Sequence, residues 1–150
     1  MGMYTVFHLD IRLRDDLPDD IYKLLQRMLG DQERVAENSP LPDHPLFQTT
    51  RWNYMLCSNN VYASCVNQLM RHEFFGIRLC VQSSFKNYDN EIDKFLDWLA
   101  PYADPNMSDD TLVGYTRYED YTYPDIIMYT QKQGTPKLYI NNKLNADDQR

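Results

Sequence analysis

The chain has 150 residues, 43% hydrophobic and 13% aromatic, with a formal net charge of −7. That length suits one ordinary domain, residues 1–150, with a core of its own, and this composition excludes a disordered chain. No apolar run approaches the ~20 residues that cross a bilayer, and Met1-Gly2-Met3-Tyr4-Thr5-Val6 lacks the basic start and apolar stretch of a secretion signal, so a cytoplasmic protein without membrane contact is expected.

In chain order, Phe7, Leu9, Ile11 and Leu13 alternate with His8, Asp10, Arg12 and Arg14, the period of a half-buried strand. Pro18 opens a helix with Asp19 and Asp20 in its first turn, where the dipole favours acids. Its buried stripe is Ile21, Leu24, Leu25 and Met28, and Gly30 closes it. Residues 31–50, with Pro40, Pro42 and Pro45, read as a long loop. Three strands are expected near 51–58, 61–70 and 74–84, the first from the alternation of Trp52, Tyr54 and Leu56, with Asn59-Asn60 as a turn. A second helix follows, with Asp89, Glu91 and Asp93 in its first turns. Ile92, Phe95, Leu96 and Leu99 form its apolar face, and Pro101 stops it. Strands near 112–119 and 126–131 come next, then a short run at Leu138-Tyr139-Ile140 and a frayed tail at 145–150. The order β-α-β-β-β-α-β-β, with that short run as an extra strand, predicts an α+β fold. It consists of a single antiparallel or mixed sheet of five to seven strands with two helices on one face.

Cys57, Cys65 and Cys80 are an odd set in apolar segments and read as reduced thiols. With His72 they leave seven, six and seven residues between successive members, which matches no zinc pattern built from tight ligand pairs. No metal and no cofactor is expected. A Walker loop, a dinucleotide fingerprint, an H-E-x-x-H and a G-x-S-x-G elbow are all absent. Lys86-Asn87 before the second helix could hold an anion, but the acids that follow favour simple capping by Asn87.

Charge is concentrated. Residues 87–125 hold ten acids against Lys94 and Arg117, and six of the twelve tyrosines: Tyr88, Tyr102, Tyr115, Tyr118, Tyr121 and Tyr123. Such a surface repels phosphates, which excludes direct nucleic-acid binding, and steers toward a basic protein. Tyrosine supplies contact area at low entropic cost. Acids in a helix's first turns are also ordinary capping chemistry, so the pattern alone does not assign a surface.

Three stretches carry a resemblance: His44-Pro45-Leu46-Phe47 with Arg51-Trp52-Asn53-Tyr54; Ser84-Phe85-Lys86-Asn87-Tyr88-Asp89-Asn90-Glu91-Ile92 through Phe95-Leu96-Asp97-Trp98 to Pro101-Tyr102; and Gly114-Tyr115-Thr116-Arg117-Tyr118-Glu119 with Pro124. Over most of residues 3–130 the chain resembles a family of small uncharacterised proteins of bacteria and their phages. The resemblance implies a compact cytoplasmic protein from a bacterial or mobile-element setting, where small proteins often inhibit a host defence or a toxin.

Three functional readings follow. The first is a protein-binding inhibitor, of the bacteriophage counter-defence or toxin-neutralising type and not an enzyme, meeting a basic partner protein through Tyr115, Tyr118, Glu119, Asp120 and Tyr121. The second is a small-molecule or nucleotide binder, compatible with a homo-oligomer, whose pocket is lined by His8, Arg12, Trp52 and Arg117. The third is a small hydrolase built on His8, Asp10 and Glu119, with an acid, a base and an anion clamp on neighbouring strands.

Overall fold

The alternating first segment becomes the middle of the sheet. β1 (Thr5–Leu13) pairs on one side with β3 (Gly76–Phe85) and on the other with β4 (Thr111–Tyr118). β2 (Val66–His72) lies outside β3, while β5 (Asp125–Thr130) and β6 (Lys137–Asn141) continue beyond β4. The six strands run in the order β2-β3-β1-β4-β5-β6, every pairing antiparallel. The computed structural model describes residues 3–31, 40–143 and 145.

One face of the sheet is packed and the other is largely open, covered only at one end, where Val6 and Ser84 are buried and the Asn60 amide donates to Ser84. Phe7, Leu9, Ile11 and Leu13 of β1 join Ile77, Leu79 and Val81 of β3 and Ile127 and Tyr129 of β5 in the core. His8, Asp10 and Arg12 point the opposite way. Both helices cover the packed face. α1 (Asp19–Met28) buries Ile21, Leu24, Leu25 and Met28, as its 3.6-residue period predicts. It closes with Gly30 at φ 95° and two bonds, from the Gly30 amide to the Arg27 carbonyl and from the Asp31 amide to the Gln26 carbonyl, the pattern that satisfies terminal carbonyls with a left-handed glycine.

α2 (Glu91–Leu99) buries Ile92, Phe95, Leu96, Trp98 and Leu99, and Phe95 meets Phe7 edge-on at 5.9 Å. Each such apolar side chain contributes about 1.5–3 kcal/mol through burial. The helix start is capped from a distance. Asn90 takes the left-handed conformation at φ 55°, the Asn87 side-chain oxygen accepts the Ile92 amide at 3.0 Å, and Glu91 accepts the Asp89 amide at 2.8 Å. Asn87 is thus the capping residue, as expected.

Several boundaries differ from the sequence reading. Residues 51–58 form no strand; they are a chain of turns held by bonds from the Tyr54 amide to Arg51 and from the Cys57 amide to Tyr54. The buried residues are Trp52, Met55 and Leu56, which follow a helical spacing, while Tyr54 is exposed. The buried Ser83 hydroxyl donates to the Met55 carbonyl and pins these turns under the sheet. The strand expected over 61–70 begins only at Val66, because Asn60 bridges Ala63 in a turn. Within the expected loop 31–50, Pro45–Gln48 is a 3₁₀ turn that buries Leu46 and Phe47; residues 32–39 lie outside the described residues.

The run at Leu138-Tyr139-Ile140 is a full strand, β6. At the expected frayed tail, Asn145 is buried and its amide donates to Tyr123 at 2.7 Å and Asp125 at 2.8 Å; residues 146–150 lie outside the described residues. Among the described residues, no helix is long and apolar enough to cross a membrane.

Candidate functional site

Strand alternation divides the five expected interface residues. Tyr115 points from β4 to the open face, where it stacks on His8 with ring centroids 5.2 Å apart. Glu119 continues on that side. Its amide bonds the Tyr4 carbonyl at 3.1 Å, and its carboxylate lies beside the Tyr62 phenol, whose pKa it raises by holding the proton. Tyr118 faces the helix side and meets Tyr121 edge-on at 5.3 Å. Asp120 is exposed at the end of the strand. Tyr118 and Tyr121 therefore belong to one place, and Tyr115 and Glu119 to another.

That first place is a recess of about 470 Å³ between the N-terminal end of α2 and the ends of β1, β4, β5 and β6. Tyr88, Tyr118 and Tyr121 are its aromatic walls, and Asp93 and Asp125 supply its charge; no lysine or arginine is among the residues that line it. Tyr88 is held by accepting the Met3 amide at 2.9 Å and by the Arg51 guanidinium 5.2 Å above its ring. Asp125 is held by Asn145. Asp93 is an exposed residue overall, yet its carboxyl is partly desolvated, which raises its pKa. Two carboxylates among aromatic rings, with no lysine or arginine in the lining and Arg51 engaged behind Tyr88, make a site that favours a cation.

The acids of 87–125 do not form one surface. Glu91 is fully buried against Arg51 at 3.6 Å, Asp97 pairs with His44 at 2.9 Å, Asp104 lies 3.6 Å from Arg12, and Asp110 pairs with Lys132 at 2.9 Å. Asp93, Asp120 and Asp125 gather near the Tyr118 end of β4, whereas Asp109 and Asp110 precede its Thr111 end. Whether these acids make one surface, which the count in sequence leaves open, is thus answered by two patches at opposite ends of β4.

The residues of the small-molecule reading also separate. His8 and Arg12 border an open-face recess of about 490 Å³ together with Asp10, Arg78, Leu112 and Tyr115. Trp52 is on the other side of the sheet, edge-on to Phe47 at 5.1 Å and under the Arg27 guanidinium at 5.3 Å. It cannot join His8, because the turns that hold it pack beneath the strands. Arg117 pairs with Val6, beyond the recess. The charges in this recess largely satisfy one another: Arg78 grips Asp10 through two bonds of 2.7 and 3.0 Å, and Asp104 partly compensates Arg12. The His8 Nδ1 is buried without a partner.

The hydrolase cluster is not assembled. Glu119 lies level with Tyr4, four residues along β1 from His8, roughly 13 Å at the rise of a strand. Asp10 is occupied by Arg78. Among the described residues, His44 makes the closest histidine–carboxylate pair, with Nε2 2.9 Å from Asp97, but its Nδ1 accepts the Leu46 amide at 3.1 Å. With both ring nitrogens engaged it ties the 3₁₀ turn to α2 and has no free position for proton transfer. Among the described residues, no cluster of three or more metal-ligating side chains occurs.

Sequence reasoning missed Tyr88, Asp93 and Asp125 as members of one site. They fall in the acidic, tyrosine-rich segment, but only the return of β4 and β5 to the start of α2 brings them together. No protein-family model matches the chain, and neither a curated protein nor a solved structure is significantly similar to it.

Proposed function

We propose that this chain is a protein-binding module whose tyrosine-walled, acidic recess receives a lysine or arginine side chain from a basic partner, and that it inhibits the partner by covering that basic site. The observation that supports this reading is the lining of the recess: Tyr88, Tyr118 and Tyr121 around Asp93 and Asp125, with no lysine or arginine among the lining residues. A cationic group entering gains ring-face and carboxylate contacts together, and tyrosines lose little freedom in making them.

Isothermal titration with a short arginine-rich peptide, and with an acidic peptide of equal length as control, tests it. The basic peptide binds, its affinity falls as salt rises, and Asp93→Lys with Asp125→Lys weakens it by about tenfold or more, a loss of about 1.4 kcal/mol. Absence of binding, or equal binding by the variant, removes the reading.

A second reading, a small-molecule binder, is favoured only at the open-face recess that His8 borders with Arg12, beside a His8 Nδ1 that has no hydrogen-bond partner. It retains His8 and Arg12 and leaves out Trp52 and Arg117.

A further inference from the structure

β2 is exposed on both of its sides along nearly its whole length, and only Leu69 reaches the core. One backbone edge is held by β3, and no described residue pairs with the other. Free edges of this kind are normally blunted by lysine, proline, a bulge or an inward charge. The opposite edge of the sheet shows two such devices, Pro136 just before β6 and Lys137 at its start. β2, Val-Asn-Gln-Leu-Met-Arg-His, has no proline, lysine or acid; its one charged side chain, Arg71, lies on the helix side, 5.2 Å over the Tyr22 ring, and its register with β3 runs without a break from Val66 to His72. Among the described residues, the most exposed large apolar side chains lie on either side of this strand. Val61 is 93% exposed before it, and Phe74 and Phe75 are 81% and 64% exposed after it.

We propose that β2 pairs antiparallel with β2 of a second copy of this chain, about a two-fold axis at Leu69, to make one sheet continuous across a dimer. The strand is self-complementary in that register. Leu69 meets Leu69, Gln68 meets Met70, Asn67 meets Arg71 and Val66 meets His72, so no like charges are opposed. Residues 73–75 turn into β3 and Asn60–Ala63 form the turn before β2, so this register brings the Phe74–Phe75 turn of each copy toward the Val61–Tyr62 turn of the other. The two-fold repeats each contact, so both exposed apolar groups are used twice. A chain carrying a net charge of −7 gains here from meeting itself along a strand free of acids. The edge lies across the sheet from β6, whose end contributes to the tyrosine recess, so pairing leaves that recess open in both copies. The proposal does not depend on what the recess binds.

Sedimentation equilibrium on the whole chain tests it. The expected particle at high micromolar concentration has twice the mass of the 17.9 kDa chain. Gln68→Lys/Met70→Lys sets lysine against lysine in this register and weakens the dimer by about tenfold or more. Gln68→Glu/Met70→Lys sets glutamate against lysine and restores it. Both positions are exposed, and both variants share Met70→Lys opposite Arg78, so a folding defect from that change affects the two equally and is read by circular dichroism. A wild-type chain that remains monomeric overturns the proposal, as does a dimer that treats the two variants alike.

Discussion

Asp89 accepts the Thr50 amide at 3.1 Å and stands 4.0 Å from Arg51, joining the start of α2 to the turns beneath the sheet. The Thr50 bond is the main reason its pKa is lowered from the ordinary 3.8, with Arg51 adding to the effect. A carboxylate whose folded pKa is depressed contributes stability above its unfolded pKa and loses it as pH falls through the folded one. Asp89→Asn is therefore expected to lower the melting temperature near neutral pH. The gap to the parent chain closes once the pH passes well below 3.8, a comparison that thermal melts at the two pH values make directly. From sequence, Asp89 was recognisable as a first-turn acid; its partner Thr50, thirty-nine positions away, was not. Cys57 and Cys65 show the same limit. Their apolar setting was legible, but the bonds from their thiols to the Tyr54 and Leu56 carbonyls, and the desolvation that raises both pKa values, come from the turns around them.

At the level of elements, the β1–β4 pairing depends on a missing side chain. A Cβ built on Gly114 would overlap the His8 carbonyl oxygen and press on the Leu9 backbone, and neither is the movable end of a flexible side chain. Gly114 lies beside the register shift between Leu112 and Gly114 in the β4–β5 pairing. Gly114→Ala is expected to cost about 1–3 kcal/mol, as overpacking does. The readout is a lower denaturation midpoint with an unchanged slope. The elements with strong periods, β1, α1 and α2, were legible because their apolar residues follow one spacing over two or more turns or pleats. Residues 51–57 were not: Trp52, Tyr54 and Leu56 imitate a strand, and only the burial of Met55 between them shows that the chain turns. β6 was visible only as a three-residue run, because its exposed residues alternate with half-buried ones at the sheet edge.

For the whole molecule, net charge predicted a preference for a basic partner but not its location. The ten acids of 87–125 look like one block in sequence, and the antiparallel return of β4 distributes them to both ends of the sheet, several of them into ion pairs. The α+β class was legible from the order of elements. The recess was not, because its walls come from α2, β4, β5 and β6 together. The same non-local pairing sets the folding rate. β1 joins partners far along the chain, Thr5 facing Phe85 and Tyr118, so refolding in stopped-flow experiments is expected in the millisecond-to-second range of sheet-rich domains, not in microseconds.

The position of β1 has a further consequence for how the protein is made. Its strand at the centre of the sheet leaves the ribosome before either neighbour exists. At roughly 5–20 residues per second, the stretch between Leu13 and Gly76 takes several seconds to translate, and β4 follows later still. Throughout that interval Phe7, Leu9, Ile11 and Leu13 have no sheet to enter. The most deeply buried strand of the finished molecule is thus the one exposed longest during synthesis, and the segment on which a nascent-chain chaperone would first act.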